Sequence, residues 1–499
     1  MHRVLRCGAG RSAGMHLSGS KIGLLYGSIG AFRKGIPRMQ LSHALPVRSA
    51  VFDEPNLVSH AGLVPAMGLA ARAGLLELAD RHLTVPGGAG HAAGMKVSAL
   101  VAGMVAGADS ISDMAVLRHG AMSRLFTGVR APSTLGTFLR TFRFGHVRQL
   151  DAVASRFLIG LADHAPLISS AAEVTFVDID DTVRSTHGYA KQGAGYGYTG
   201  VKGLNAFLAT VSTASSAPLI VATRLRKGST NSARGAARLV ADALATTRAC
   251  GAGGTVVLRA DSAFYGRDVI AAARRGGARF SITARKDRAV TAAIDSIPDD
   301  AWTTIRYPKA VFDEELDQWI SDAEVAEIGF TAFTSRGRAD RVTARLIVRR
   351  VRDANPDHVA PNAQGELFPL WRHHAVFTDS PRSMFDAETD HRRHAIIEQV
   401  IADLKNGPLR HLPSGSFAAN SAWLVLAAMA FNLTRTVGVL AGRFHAKAVT
   451  ATVRAHLIAV AARITRSARR ATLRLPTQWP WATEWRDLFS AADGPPSMA

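Results

Sequence analysis

Cysteine is scarce in this chain, and its scarcity excludes two ways of stabilising a protein. Only Cys7 and Cys250 occur among 499 residues. Neither belongs to a Cys-x-x-Cys pair or to a cysteine–histidine cluster, so the sequence supports neither a disulfide framework nor a zinc site. This cysteine usage suits a reducing cytoplasm.

Long hydrophobic runs are also missing. The best apolar run, Trp423–Phe431, is much shorter than the ~20 residues that span a bilayer. The N-terminal apolar stretch is broken by glycines and leads into Arg33 and Lys34, which is typical of neither a signal peptide nor an anchor. We therefore expect a cytoplasmic protein without a membrane partner. Residues 1–50 are predicted to be a basic, disordered or non-native start, with Met39 as an alternative first residue.

Acidic residues are outnumbered by basic ones. The chain has 39 Asp and Glu against 60 Lys and Arg, a net charge of +21 and a pI near 10.9. This excess favours a polyanionic partner, for which nucleic acid is the default, although an Arg-rich proteome would give the same balance. No P-loop occurs, and "GAGYGYTG" lacks the strand and helix of a dinucleotide site.

The hydrophobic pattern divides the chain into parts of different character. Residues 51–165 show helical spacing with interspersed arginines and are predicted to form a helical DNA-binding domain, although any small helical domain would show the same pattern. Residues 171–297 are predicted to follow the order β-β-β-α-β-α-β. This order indicates an α/β fold of the ribonuclease-H-like kind, a mixed sheet flanked by helices.

The remaining residues are predicted to complete this core. Residues 298–378 read as a β-rich insertion, 379–442 as the last core helices, and 443–499 as a basic C-terminal helical tail, with a helix over His445–Arg474. Three tryptophans of the insertion could stack on an unpaired base, although such residues are more often core: Trp302, Trp319 and Trp371.

The stretch "FVDIDDTVRSTHG" crowds three aspartates behind an apolar run. On a strand Asp178 and Asp180 share one face, near the carboxyl end, and Asp181 would begin a turn. "VVLRADSAFYG" places Asp261 at the end of another buried strand. Ligand sites gather at such strand ends, and two carboxylates there could bind a hard divalent cation. The alternative is that these acids are turn or capping residues.

A later helix, "HRRHAIIEQVIADLK", has a polar face. His391, His394, Glu398 and Lys405 are spaced 3, 4 and 7 apart, which keeps them on one side of an α-helix. An acid flanked by cations suits a metal ligand beside phosphate-binding groups. A solvated face with helix ion pairs is the alternative.

Taken together, these motifs resemble the DDE transposases of bacterial insertion sequences. "VDIDDT" and "LRADSAFYG" are similar to the two aspartate segments of that family. His391-x2-His394-x3-Glu398-x6-Lys405 matches the spacing of its Tyr-x2-Arg-x3-Glu-x6-Lys signature, with histidines in place of the tyrosine and arginine. "FDEPNLVSHAGL" and "APSTLGTFLR" resemble the insertion-sequence-1380-type group.

The resemblance implies a site and a reaction. Asp180, Asp261 and Glu398 would be catalytic and hold two Mg²⁺ ions, with Mn²⁺ as a substitute, for cleaving the element's ends and joining their 3′-OH groups to target DNA. Lys405, His391, His394, Arg392 and Arg393 would contact DNA.

The partners implied are double-stranded DNA, as terminal inverted repeats and target, and a second copy of the chain, in a homodimer or higher assembly. Asp178 remains an alternative to Asp180, and Glu388 and Asp403 are competitors of Glu398. His187 could touch DNA or belong to a turn. Alternative functions are a decayed, non-catalytic DNA-binding protein and a Mg²⁺-dependent nuclease on the same fold.

Overall fold

Two units divide the chain, Met1–Asp53 and Glu54–Ala499. The computed structural model describes residues 49–168, 173–186, 190–305, 312–313, 318–319, 323–352, 371–467 and 470–493. The predicted segment 1–50 lies almost wholly outside the described residues, as does His187, and the side chain of Trp319 is outside them too. All helices and strands named below belong to the second unit.

The described strands are β1 (Leu57–Val58), β2 (Thr175–Ser185), β3 (Gly195–Tyr196), β4 (Lys202–Ser212), β5 (Leu219–Lys227), β6 (Val256–Ala260), β7 (Arg279–Thr283), β8 (Thr303–Ile305), β9 (Phe312–Asp313), β10 (Gln318–Trp319), β11 (Ala323–Ala332), β12 (Val342–Arg352), β13 (Trp371–Thr378), β14 (Ala462–Ser467) and β15 (Arg470–Arg474). The described helices are α1 (Leu63–Arg72), α2 (Leu75–His82), α3 (Ala93–Ala106), α4 (Met122–Leu125), α5 (Pro132–Arg140), α6 (Phe144–His164), α7 (Ala236–Ala249), α8 (Arg267–Arg275), α9 (Arg288–Asp295), α10 (Met384–Arg392), α11 (Ile396–Lys405), α12 (Phe417–Ala441), α13 (Arg443–Lys447), α14 (Thr450–Val453) and α15 (Ala482–Asp493).

A mixed sheet forms the centre of the unit. Its strand order begins β5-β4-β2-β6-β7, with β2, β4 and β5 antiparallel and β2, β6 and β7 parallel. Strand β6 is buried along its whole length, as expected for a parallel strand covered on both faces. This is the ribonuclease-H-like order, and it confirms the predicted fold class.

Four strands of the predicted insertion extend this same sheet, while β9 and β10 pair with each other in a separate one. Strand β13 pairs antiparallel with β7, and β12, β11 and β8 continue outward from it. The β-rich character predicted for this stretch corresponds chiefly to β11, β12 and β13. The domain boundaries drawn from the sequence stay predictions.

Helix α12 is the core helix of the unit. It is apolar on every side, and it packs against α3, α6 and β5, so the sheet and the N-terminal helices share one hydrophobic core. Within the described residues it is the one helix long and apolar enough to cross a membrane. However, 89% of its most apolar window is buried inside the protein, the pattern of a core helix.

The predicted helix over His445–Arg474 is wrong. After the short helices α13 and α14 and a π-helical turn, the chain forms strands β14 and β15, and β14 pairs with β1. The apolar residues Ile464 and Leu473 are cross-strand partners, which suits a period of two. The segment also lacks the acidic residues that would offset its arginines in a helix.

The helix predicted to carry the polar signature is interrupted. Helix α10 ends at Arg392, a 3₁₀ turn covers Arg393–Ala395, and α11 begins at Ile396. Because a 3₁₀ turn eclipses residues three apart, the rings of His391 and His394 stack with centroids 6.3 Å apart.

Candidate active site

The first aspartate of β2, Asp178, is fully buried in an ion pair. Its two carboxylate oxygens accept hydrogen bonds from Nε and Nη2 of Arg259 at 2.6 and 2.7 Å, and Nδ1 of His394 lies 3.0 Å from Oδ1. The pairing follows from the sheet, because Asp178 lies opposite Arg259 in the parallel register of β2 and β6. Although burial raises it, Arg259 and His394 bring the pKa of Asp178 below its ordinary value.

Asp181 is also paired with an arginine. Nη2 of Arg226 donates to its Oδ2, and both side chains are almost completely buried. Arg226 also donates to Asn205 Oδ1 and packs over the ring of Phe207, with Cζ 4.2 Å from the ring centroid. Asp181 does not begin a turn as predicted, because β2 continues to Ser185.

Asp180 lies between these two ion pairs and has no such partner. Its Oδ1 accepts a hydrogen bond from the backbone N–H of Asp181 at 2.7 Å, and within the described residues no Lys or Arg forms an ion pair with it. Burial raises the pKa of Asp180 to about 7, and the charge of Asp261 adds to the effect. The three aspartates therefore differ sharply in their surroundings.

Asp261 completes an acid pair with Asp180. The parallel register of β2 and β6 ends with Ile179 opposite Ala260, so Asp180 and Asp261 come next on neighbouring strands. Oδ1 of Asp261 caps a short 3₁₀ turn by accepting from Ala263 N at 3.0 Å. Burial raises its pKa. The capping alternative is thus realised in the structure.

A cavity of about 470 Å³ adjoins Asp261. Its wall includes Asp181, the exposed rings of Tyr196 and Tyr198, and Arg285. Aromatic rings and a cation beside the acid pair suit a nucleotide, whose base can stack and whose phosphate is anionic.

Helix α11 carries the predicted third acid. Glu398 is in its first turn and is exposed, while Lys405 is in its last turn and half-buried. Burial and Arg184 lower the pKa of Lys405, and Asp180 raises it, so Lys405 lies within electrostatic range of the acid pair. His394, four residues before Glu398, also acts on Asp180 and Asp261. Residues on both sides of Glu398 therefore approach the acid pair.

His391 lies inside the protein. Its two ring nitrogens are 3.0 Å from Ser281 Oγ and 2.9 Å from Thr283 Oγ1, both on β7. Burial, His394 and Arg259 lower its pKa to about 3, so the ring is neutral near pH 7. The four residues of the predicted polar face do not share one environment, and this burial counts against a contact of His391 with DNA.

The neighbouring charged residues of the signature have protein partners. Nε of Arg392 donates to Glu388 Oε2 at 2.8 Å, and Nη1 of Arg393 is 3.8 Å from Asp390 Oδ1. The competitors of Glu398 are occupied elsewhere: Glu388 is buried with Arg392, and Asp403 accepts hydrogen bonds from Thr450 N and Oγ1. Both therefore have structural roles.

Two of the predicted stacking tryptophans contact an arginine of the same sheet. The Cζ atom of Arg350 lies 4.2 Å from the ring centroid of Trp302 and 4.5 Å from that of Trp371. Both rings are partly buried and pack on this side chain.

The acids fit a hard divalent cation in chemistry, but they are not gathered around one point. Throughout the described ranges, no three His, Cys, Asp or Glu side chains lie close enough to hold a metal ion. Asp180 and Asp261 nevertheless supply oxygen donors, and burial raises the pKa of both because it disfavours the charged carboxylate, a form that a bound cation would stabilise. The acid pair thus fits Mg²⁺, with Glu398 available on the adjacent helix.

Sequence reasoning missed the two buried ion pairs. Arg259 stands in the middle of an otherwise apolar buried strand, "VVLRA", and a buried arginine requires a partner. That signal could have assigned Asp178 to Arg259. The partner of Asp181, Arg226, is on β5, and only the antiparallel register of β4 and β5 brings it near.

Comparison with known proteins identifies the family of the chain. The family model described as "Transposase DDE domain group 1" matches residues 43–493, and the chain belongs to this family of DDE transposases, enzymes that cut and join DNA. The match does not extend to the insertion-sequence-1380-type group, which stays a prediction. No curated protein sequence matches the chain. Among solved structures, the piggyBac transposase in a synaptic complex with hairpin DNA is similar over 79% of each chain, at 10% identity and a TM-score of 0.38.

Proposed function

We propose that this DDE transposase cleaves the ends of a mobile insertion sequence and joins their 3′-OH ends to target DNA, and that Asp180, Asp261 and Glu398 are its catalytic acids. The observation that carries the assignment is the contrast within β2. Asp178 and Asp181 are neutralised by arginines, whereas Asp180 is not, and it lies next to Asp261. A carboxylate held without a counter-charge is free to bind a cation.

Asp180, Asp261 and Glu398 would hold the two Mg²⁺ ions, or Mn²⁺ in their place. When bound, the metal supplies Lewis-acid activation of the attacking oxygen and stabilises the leaving oxygen. The chain's own residues orient the DNA strand. Lys405, within range of Asp180, would bind a phosphate next to the scissile one.

The histidines take different parts in this proposal. His394 lies between Asp178 and the acid pair, and it orients the turn that leads into α11. His391 instead fixes that turn to β7 through Ser281 and Thr283. Exposed Arg393 and partly exposed Arg392 remain candidates for contacts with the DNA backbone.

The substrates are double-stranded DNA ends and target DNA in the cytoplasm, with Arg and Lys residues offsetting phosphate charge. Joining two ends at once requires at least two active sites, so the active complex would be a homodimer or larger. A Mg²⁺-dependent nuclease and a non-catalytic DNA-binding protein are the alternatives.

A strand-transfer assay distinguishes these functions. Purified protein is mixed with Mg²⁺, a labelled duplex bearing the inverted repeat that flanks its gene, and a supercoiled target plasmid. The proposal predicts labelled plasmid that depends on the repeat. Cleavage without joining, or equal cleavage of a scrambled duplex, would indicate a nuclease, and binding without cleavage would indicate a non-catalytic protein.

A further inference from the structure

The hairpin of β14 and β15 has one face made of arginine and hydroxyl side chains. Directly opposed residues of an antiparallel pair point to the same side of the hairpin. Three such pairs form what we call the arginine face: Arg463 with Arg474, Thr465 with Thr472, and Ser467 with Arg470. All of these residues are exposed except Thr465, which is half-buried. This face contains neither an acid nor an apolar side chain from the two strands.

The other face of the hairpin fixes it to the protein. Ala462 and Ile464 are buried, and Leu473, the partner of Ile464, packs against the same hydrophobic core. Strand β1 pairs through Leu57 and Val58 with the edge of β14 that faces away from β15. The arginine face is therefore presented on a supported sheet that is separate from the sheet of the acid pair.

The charge of the arginine face is largely uncompensated. The described strands of the hairpin, Ala462–Ser467 and Arg470–Arg474, contain no Asp or Glu. Arg463 and Arg474 are directly opposed, and like charges in that position destabilise a hairpin. Glu54 offsets part of this charge, with Oε2 3.3 Å from Nη2 of Arg463. An anionic partner would relieve the remaining repulsion.

The spacing of the arginines suits a DNA duplex. Arg470 and Arg474 are four positions apart on β15, which places them roughly 13 Å from each other along the strand. The major groove between the two phosphate backbones is about 12 Å wide. Threonine and serine hydroxyls between the arginines can also donate hydrogen bonds to phosphate oxygens.

We propose that the arginine face binds the phosphate backbone of double-stranded DNA, as a docking surface distinct from the acid pair. The inference rests on the proposed function only in taking DNA as the substrate. Because phosphate contacts carry no sequence information, this surface would strengthen binding to any duplex and would hold DNA in register for the active site.

Salt dependence of DNA binding tests the arginine face. Affinity of the full-length protein for a labelled duplex is measured without Mg²⁺ at several salt concentrations, for wild type and for Arg463→Gln/Arg470→Gln/Arg474→Gln. Each lost phosphate contact reduces the slope of log K against log [salt] by about 0.9, so the triple variant should lose about 2.7.

A matched control separates local contact from net charge. Arg238, Arg275 and Arg486 are exposed arginines on α7, α8 and α15, and replacing all three by Gln removes the same charge. This control should lower the slope by less than half as much. A second variant with Lys at the three hairpin positions keeps the charge and should retain the wild-type slope.

The outcomes are distinct. An unchanged slope in the Gln triple variant, or an equal loss in the control, overturns the inference while wild-type binding and cleavage leave the proposed function intact. Loss of slope in the Lys variant as well would indicate a folding defect and also contradicts the inference. Absence of duplex binding by wild type would instead overturn the proposed function.

Discussion

Asp178 and Asp180 of β2 should respond in opposite ways to loss of their charge. Replacing Asp178 by Asn leaves Arg259, which is 1% exposed, without its anionic partner. Removing one member of a buried ion pair costs about 3–5 kcal/mol of unfolding free energy. For a unit of about 450 residues, an unfolding entropy of about 0.9 kcal/mol per kelvin converts this cost to a thermal midpoint roughly 3–5 °C lower.

Asp180→Asn should not be destabilised. The pKa of Asp180 is raised to about 7 in the fold, so its ionised form is unfavourable there. Amide replacement removes that unfavourable charge, and at pH 8 without metal the variant should unfold at or above the wild-type midpoint. The pKa of Asp178 is lowered, so its stabilisation is present above the unfolded pKa and is lost in acid.

The assay is thermal unfolding of both variants at pH 8 in EDTA, followed by circular dichroism. A double variant, Asp178→Leu/Arg259→Met, removes the whole pair and should recover at least half of the loss, because no unpaired charge stays buried. Equal midpoints for Asp178→Asn and Asp180→Asn would refute the assignment of one aspartate to structure and the other to the site.

Three further predictions concern the helix of the signature. Glu398→Gln should abolish cleavage while changing stability by less than about 0.5 kcal/mol, because the side chain is exposed; cleavage and unfolding assays check this. Lys405→Gln should weaken single-turnover cleavage about 10-fold or more with the fold unchanged, as expected for loss of a charged hydrogen bond worth about 1.5–3 kcal/mol; wild-type rates would contradict it. His391, whose pKa is lowered to about 3, stays neutral in the fold while the unfolded chain is protonated below about 6.5. Acidification from pH 7 to pH 4 should therefore lower the unfolding free energy of wild type by about 3 kcal/mol more than that of His391→Gln, as measured by denaturant unfolding.

The sheet could be predicted because its pattern is local. Strands such as β2, β4 and β6 are runs of apolar and β-branched residues. Helices α7 and α12 end shortly before a glycine, Gly251 and Gly442 respectively. The hairpin of β14 and β15 could not, because its pairing with β1 joins residues about 400 positions apart. Its alternation of apolar and polar residues is short and is masked by arginines.

The candidate site was predictable in its acids and not in their surroundings. Asp261 directly follows the end of β6, as predicted, whereas Asp180 was predicted near a strand end and lies inside β2, which continues to Ser185. The ion pair between Asp178 and Arg259 depends on the register of β2 and β6. That register joins residues about 80 positions apart in the sequence. His391 was expected on a polar face in contact with DNA, and it is instead buried near the end of α10, where its ring contacts Ser281 of β7.

Asp180 is proposed as a catalytic acid of this DNA-cutting enzyme. The most direct test is Mg²⁺-dependent cleavage of a labelled duplex carrying the flanking inverted repeat, by wild type and by Asp180→Asn at equal concentration. We expect wild type to cleave and Asp180→Asn to bind the duplex without cleaving it. Cleavage by Asp180→Asn at the wild-type rate would contradict the claim.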